Sequence, residues 1–339
     1  MTFFLLPFSF FLSLFALLLS GCVRWTPPAM VPVDAGGCRS ASLQWFAPDS
    51  TPERHRLDRW CAGVGGAAVQ PLGATGSPPI RIEDITFVSW NVHVGSGDVR
   101  AFVSDLRKGD LAGGRKVGHY VLLLQEAVRT DGVPALAENA AGAGRIDAHR
   151  DAASADILQI ARELGLSLVY VPSMRNGGSD ADPPEDRGNA ILSTLPLSDL
   201  VAVELPGERQ RRVVIIAHAE TVSVGAVHLD ALGSGSRRLW VFWTPWLREV
   251  QVRSMASRLP DGPLVIGGDL NTWHGRGERA VRFLDRLQDA TPVSVDRPGL
   301  SLRVLDYLFF RTGKDRRAHY RQVGHRYGSD HSPLVGWVE

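Results

Sequence analysis

The chain has 339 residues, 44% hydrophobic and 22% charged, enough to bury a sizeable core, and this make-up excludes global disorder, collagen-like repeats and a multi-span membrane protein. Its 37 basic and 36 acidic side chains leave a formal charge of +1, which excludes a histone-like polycation. Three cysteines are too few for a disulfide-dense mini-domain, and none forms a CxxC pair of the zinc or redox kind.

The N-terminus reads as an export signal. Residues Phe3 to Leu19 are apolar apart from Pro7, Ser9 and Ser13, and no charged side chain precedes Arg24. An uncleaved membrane anchor is the alternative for so long an apolar run. Leu19-Ser20-Gly21-Cys22 resembles the bacterial lipobox, although no Lys or Arg precedes the run. That resemblance implies a signal peptide over residues 1–21, cleavage before Cys22, diacylglycerol on its thiol, and a protein anchored to membrane at the bacterial cell envelope, periplasmic or surface-facing. In an oxidising compartment Cys38 and Cys61 are expected to join. Residues 22–79 are rich in Pro, Gly and Ala without a sustained period, so they read as a tether with a small disulfide knot. Five Arg stand there against four Asp or Glu, which leaves the main domain, residues 80–339, neutral and without net attraction for a polyanion.

From Ile80 onward short apolar runs alternate with helical periods. Strands are expected over Ile85–Trp90, Val121–Leu124, Ser167–Val171, Ala190–Leu192, Val213–His218, Val222–His228, Leu264–Ile266, Val304–Phe310 and Leu334–Val338. Ile157, Ile160, Ala161 and Leu164 recur at helical spacing with Gly165 as the stop; helices are also expected over Arg248–Leu259 and Arg279–Leu287. Several successive strands are joined too tightly for parallel crossovers, so antiparallel pairing must contribute. Two mixed sheets packed face to face with outer helices satisfy this pattern, an α/β fold with no internal repeat.

The informative residues are polar groups placed where apolar strands stop. Asn91 follows ITFVSW, Glu126 follows VLLLQ, His228 closes VGAVH, Asp269 and Asn271 follow LVIGG, Asp306 opens the DYLFF run, and Asp330-His331 precedes SPLVGW. Singly, an Asn or Asp after a strand is a turn former and a lone His a satisfied core or loop residue. Asp269 and Asn271, two apart, would share a face if the strand continued through them. Together the set has the composition of a magnesium–phosphate site: oxygen donors such as Glu126 suit a hard cation, and no dense Cys/His cluster favours zinc. Asp306 is available to orient the imidazole of His331, an acid/base or a cationic phosphate clamp.

SWNVH, LLLQEA, RGNAILST, VGAVHLD, IGGDLNTW, LDYLFFR and GSDHSPL stand in the order found in the endonuclease/exonuclease/phosphatase superfamily, which the chain resembles from about Ile85 to its C-terminus. The resemblance implies a four-layer α/β/β/α sandwich with the site at one end of the two sheets. It implies Glu126 as the principal Mg²⁺ ligand beside Asn91, with Asp330 near the metal; Mn²⁺ or Ca²⁺ are alternatives. It also implies Asp269 as the water-orienting carboxylate, Asn271 and His228 on the phosphate, Asp306 behind His331, and Asn189 lining the phosphate pocket.

The reaction so implied is phosphoester hydrolysis by in-line attack of water. The leading expectation is a phosphodiesterase or nuclease at the envelope, with nucleic acid as partner; the alternatives are a phospholipid or inositol-phosphate hydrolase and a catalytically inactive binding module on the same fold. No feature calls for an obligate protein partner. Arg211-Arg212, Arg237-Arg238 and Arg316-Arg317 are candidates for a DNA groove or simply solvated surface. Trp240, Phe242, Trp243 and Trp246 are either core or a membrane-facing cluster.

Overall fold

The structure, a computed structural model, describes residues 26–34, 38, 40, 42–73, 79–135, 155–177, 182–207, 209–231, 240–296 and 305–339, without the side chains of 240–243 and 291–296. Strands are numbered in chain order. Sheet A holds seven, in the spatial order β1 (Met30–Pro32), β2 (Gln44–Pro48), β8 (Ser198–Leu205), β9 (Arg212–Ala219), β10 (Val222–His228), β11 (Leu264–Asp269) and β13 (Asp306–Arg311). Sheet B holds eight: β12 (Thr291–Asp296), β14 (Arg317–Gln322), β15 (Leu334–Val338), β4 (Ile85–Asn91), β5 (His119–Arg129), β7 (Asp186–Ser193), β6 (Ser167–Arg175) and β3 (Ala68–Gln70). The described helices are α1 (Thr51–Cys61), α2 (Val99–Lys108), α3 (Ile157–Leu164), α4 (Trp240–Ala256) and α5 (Arg279–Asp285).

Alternation along the strands builds four layers. Phe87, Val121, Leu123, Ile191, Ile215, Val265 and Phe310 point between the sheets and form the central core. Their neighbours Val88, Trp90, Leu122 and Leu124 point outward from sheet B, where Phe102 and Leu106 of α2 and Ile157 and Ile160 of α3 cover them. Val214, Ile216 and Val227 point outward from sheet A under Val252 and Met255 of α4 and Val281 and Leu284 of α5. Strands buried on both faces read as continuous apolar runs, which is why they were legible in the sequence. The helix over 157–164 is also as expected: Asp156 caps it by accepting from Leu158 and Gln159 N–H groups, and Gly165 ends it in the left-handed conformation. Among the described residues no helix is long and apolar enough to cross a membrane.

The described residues between 26 and 73 are not the free tether that composition suggests for 22–79. β1 and β2 extend sheet A beyond β8, and β3 extends sheet B beyond β6. Leu57 and Cys61 of α1, with Val64, enter the central core. Arg129 and Asp186 form a buried pair that also takes the Gly65 N–H on Asp186 (2.8 Å) and the Gly66 carbonyl on Arg129. The described part of the Pro- and Gly-rich stretch is therefore built into the sandwich, and a domain boundary at Ile80 would separate β1, β2 and β3 from the sheets they extend. Three more strands, β8, β12 and β14, also lie outside the runs expected from periodicity.

Cys38 and Cys61 are joined in a disulfide with Cα atoms 5.1 Å apart, fixing α1 against the turn before β2. Closing a loop of sequence separation 23 restricts the unfolded chain by about 3 kcal/mol. Replacing both cysteines by serine should lower the free energy of unfolding by about that amount, measured by urea denaturation; a midpoint unchanged from the parent would contradict it.

Candidate functional site

Three neighbouring strands of sheet A stop at one level. β10 and β11 run parallel and pair His228 with Asp269; β11 and β13 run antiparallel and pair Asp269 with Asp306. Register alone thus sets an imidazole and two carboxylates side by side at the end of the sheet. The two glycines of IGGD make this possible. A Cβ on Gly267 would lie 2.8 Å from Leu123 Cδ1 and 2.9 Å from Ser89 Cβ, so the sheets close tightly just below the site. A Cβ on Gly268 would lie 2.0 Å from the Val227 carbonyl oxygen. From the opposite sheet, Asn91 at the end of β4 donates Nδ2 to Asp269 Oδ2 at 3.0 Å.

β11 ends at Asp269, so Asn271 does not share its face as a continued strand would require. The chain turns instead: Asn271 takes a left-handed φ of 50°, its N–H donates to Asp269 Oδ1 (2.8 Å), and its Nδ2 donates to Leu229 O (3.0 Å). Each carboxylate oxygen of Asp269 therefore accepts one N–H. Burial and the neighbouring Asp306 push this carboxyl up to about 6, against the opposing pull of His331, the Asn271 N–H and Asn91.

His331 arrives on a loop stitched to β4. Ser329 Oγ donates to Asn91 O (2.7 Å), the His331 N–H donates to Ser329 Oγ (3.0 Å), and Trp90 Nε1 donates to His331 O (3.1 Å). Its Nδ1 lies 2.8 Å from Asp306 Oδ2, which leaves Nε2 facing Asp269 Oδ2 at 3.8 Å; His228 Nε2 approaches the same oxygen at 3.7 Å. Burial pulls the His331 imidazole down, but the Asp306 hydrogen bond and charge, with Asp269 and Asp330, prevail and raise it to about 10. His228 is held well below the usual histidine range by burial, then by Arg212, Arg187 and His331. Asp330 is exposed and pairs with His93 Nδ1 at 3.1 Å, 3.9 Å from His331 Nε2.

Glu126 owes its direction to a β-bulge. The pairing of β5 with β7 shifts register between Leu124 and Ala127, and Glu126 inside the bulge has a left-handed φ of 56°. Its Oε2 accepts from Arg187 Nη1 at 3.2 Å. Burial pushes this carboxyl up, yet Arg187 and Arg212, then His93 and His331, hold it below the usual carboxylate range. Arg187, which opens RGNAILST, is a site residue to which sequence reasoning assigns no role, and Arg212, expected only as half of a candidate groove pair, is the second arginine at the site. Both are buried, and in each the Nε has no hydrogen-bond partner; Arg212 Nη2 donates to Gln210 Oε1 at 2.7 Å. The available signal was a guanidinium at the start of an otherwise apolar strand, RVVIIA, and another beside Gly188 and Asn189.

Other expectations are corrected. Asn189 donates Nδ2 to Val213 O (2.7 Å) and reaches Ala226 O at 3.5 Å, so its amide hydrogens tie β7 to sheet A and are not left for a phosphate. Arg211 is no groove residue: it is fully buried, bidentate on Glu204, bonded to Pro172 O (2.9 Å) and packed over the Trp45 ring. Arg316 is held by Glu83 at 2.7 Å. Cys22, Arg237 and Arg238, and the side chains of Trp240, Phe242 and Trp243, lie outside the described residues.

The donor set suits a hard divalent cation. Among the described residues, Asp269, Asp306 and His331 bring ligand atoms within 4.8 Å of one another, and Asp306 Oδ1 is buried without a hydrogen-bond partner. The carboxylate oxygens of this cluster, and those of Glu126 beside Arg187, are the hard donors that such a cation takes. The arrangement can bind an anionic ester, orient a water and hold positive charge against a phosphate.

Residues 88–331 match the model of the endonuclease/exonuclease/phosphatase family. Among solved structures, the chain is similar to an endonuclease/exonuclease/phosphatase from Beutenbergia cavernae (18% identity over 75% of this chain and 71% of that one, TM-score 0.48). It is also similar to the 3′ phosphatase NExo from Neisseria bound to product DNA hairpin (19% identity, 75% and 99%, TM-score 0.41) and to sphingomyelinase C from Streptomyces griseocarneus (16% identity, 77% and 99%, TM-score 0.41). No curated protein matches the chain.

Gly268→Ala should cost about 1–3 kcal/mol or more, because the obstacle is a backbone carbonyl, and should lower turnover by moving His228 against Asp269. Gly225→Ala in the same sheet, where a Cβ meets Ile266 Cγ1 at an ordinary 3.6 Å, should be tolerated. Thermal melts of the two variants check the contrast; equal losses would refute it.

Proposed function

Because this chain belongs to the endonuclease/exonuclease/phosphatase family, we propose that it is a Mg²⁺-dependent phosphodiester hydrolase, carried at the bacterial cell envelope by a lipid on Cys22. The observation that carries this reading is the row His228, Asp269, Asp306 across three paired strands, with His331 fixed on Asp306 and Asn91 fixed on Asp269.

The residues divide the work by position. Asp269, held by Asn91 and the Asn271 N–H, keeps lone pairs free to orient a water and accept its proton as the oxygen attacks phosphorus. His228 and His331 present Nε2 to the same small space beside Asp269 and hydrogen-bond the phosphoryl oxygens. Asp306 fixes the His331 ring so that Nε2, not Nδ1, faces substrate. Arg187 and Arg212 add fixed positive charge in a buried setting, where such charge acts strongly on a phosphate. Glu126, with Asn91 and Asp330, would hold Mg²⁺, Mn²⁺ or Ca²⁺, which supplies neutralisation of phosphate charge and of the departing oxygen.

The test is release of nitrophenol from bis(4-nitrophenyl) phosphate. Turnover should require Mg²⁺, vanish in excess chelator and return when Mg²⁺ is restored. Glu126→Ala and His331→Ala should each lower it by about 10²–10³-fold while circular dichroism stays that of the parent. Full turnover in chelator would overturn the reading. Supercoiled DNA, phosphatidylcholine vesicles and inositol phosphates offered to the same protein would then sort nucleic acid from lipid and inositol substrates.

A further inference from the structure

The mature chain enters the sandwich at the catalytic end. Pro32 pairs with Phe46, Phe46 with Val203, and Val203 with Val214. That row sits one residue past Ile215, the partner of Ala226, and so one residue short of His228. Met30, two residues before Pro32, therefore lies at or beyond the level of the site residues on the other flank of sheet A. Residues 23–29 alone separate β1 from Cys22, a reach of about 27 Å at full extension.

Two large aromatic side chains stand exposed at the same end. Trp246 is 39% exposed and Trp273 37% exposed, whereas Trp45, Trp60, Trp90 and Trp337 are buried. Trp273 follows Asn271 by two residues. Trp246 precedes Arg248 by two residues, and Arg248 bonds Glu278 and the carbonyl of Asp230, two residues beyond His228. The guanidinium of Arg279 lies 4.5 Å from the Trp246 ring, a cation beside an aromatic surface. Tryptophan rings favour the headgroup level of a bilayer, and an arginine there meets lipid phosphate.

We infer that the catalytic end of the sandwich rests on the bilayer that holds Cys22, seated by Trp246 and Trp273. The inference rests on the site and on the lipidation proposed above. It makes the mouth of the site open toward lipid headgroups instead of bulk solvent. A second copy of the chain or a soluble polymer as occupant would leave the tryptophans clear of lipid.

The experiment uses the acylated mature chain in vesicles of phosphatidylethanolamine and phosphatidylglycerol that contain brominated phosphatidylcholine, a quencher of tryptophan emission. Emission of the parent should be quenched, and Trp246→Phe with Trp273→Phe together should remove more than half of that quenching. No quenching in the parent, quenching undiminished in the double variant, or a mature N-terminus without lipid on Cys22 would each overturn the inference. Thermal melts show whether the variant is folded; should it not be, the single Trp246→Phe variant is read in its place, with loss of part of the quenching expected and none overturning. Hydrolysis of bis(4-nitrophenyl) phosphate by the same vesicles is read separately, so failure of the site and failure of the docking surface are distinguishable.

Discussion

β11 is paired in register on both of its edges, and the catalytic end depends on that constraint. Because side chains alternate along a strand, a slip of one residue would turn Asp269 to the opposite face of the sheet and away from His228 and Asp306. The register is enforced from the core side, where Gly267 admits Leu123 and Ser89 of the other sheet so closely that no larger residue fits. Asn91 then links the two sheets at the site itself. One close approach between sheets thus positions donors that the chain carries far apart in sequence.

Charge is buried around this end in matched pairs. Arg129 with Asp186, Arg211 with Glu204 and Arg248 with Glu278 are all almost fully shielded from solvent. Such pairs add little over apolar packing, but removal of one partner leaves a stranded charge costing about 3–5 kcal/mol. Each therefore pins a segment. Arg129 holds the stretch before β3, Arg211 spans the sheets through Pro172 O, and Arg248 fixes the backbone after His228. Arg187 and Arg212 differ: each keeps a buried Nε without a partner. Unsatisfied donors of that kind are uncommon inside proteins and suit an anion that arrives from outside.

Much of this was legible in the chain. Strands β4, β10 and β15 are doubly buried apolar runs, and the polar residues that end β4 and β10 and shortly precede β15 mark the site. Composition hid the rest. β1, β2 and β3 are short and lie among Pro and Gly, so no period of two can develop; β2 and β3 become strands through distant partners, and β1 through β2. The bulge at Glu126 and the turn at Asn271 depend on backbone conformations that a pattern of side chains does not encode. Arg187 stood out only as the first residue of RGNAILST and Arg212 only as half of a paired-arginine candidate, because burial of a guanidinium is decided by tertiary packing.

The N-terminal strands also have a bearing on the order of assembly. Gln44 finds its partner at Val201 and Ala68 at Tyr170, so the first part of the chain to be made is among the last to be paired. Contacts so distant in sequence slow folding. Until β6 and β8 exist, the early residues can form only local structure, such as the β1–β2 pair and the clasp between Cys38 and Cys61. A nascent chain in that state has no finished sheet: β2 and β3 wait for their partners in the two sheets until β8 and β6 have been made.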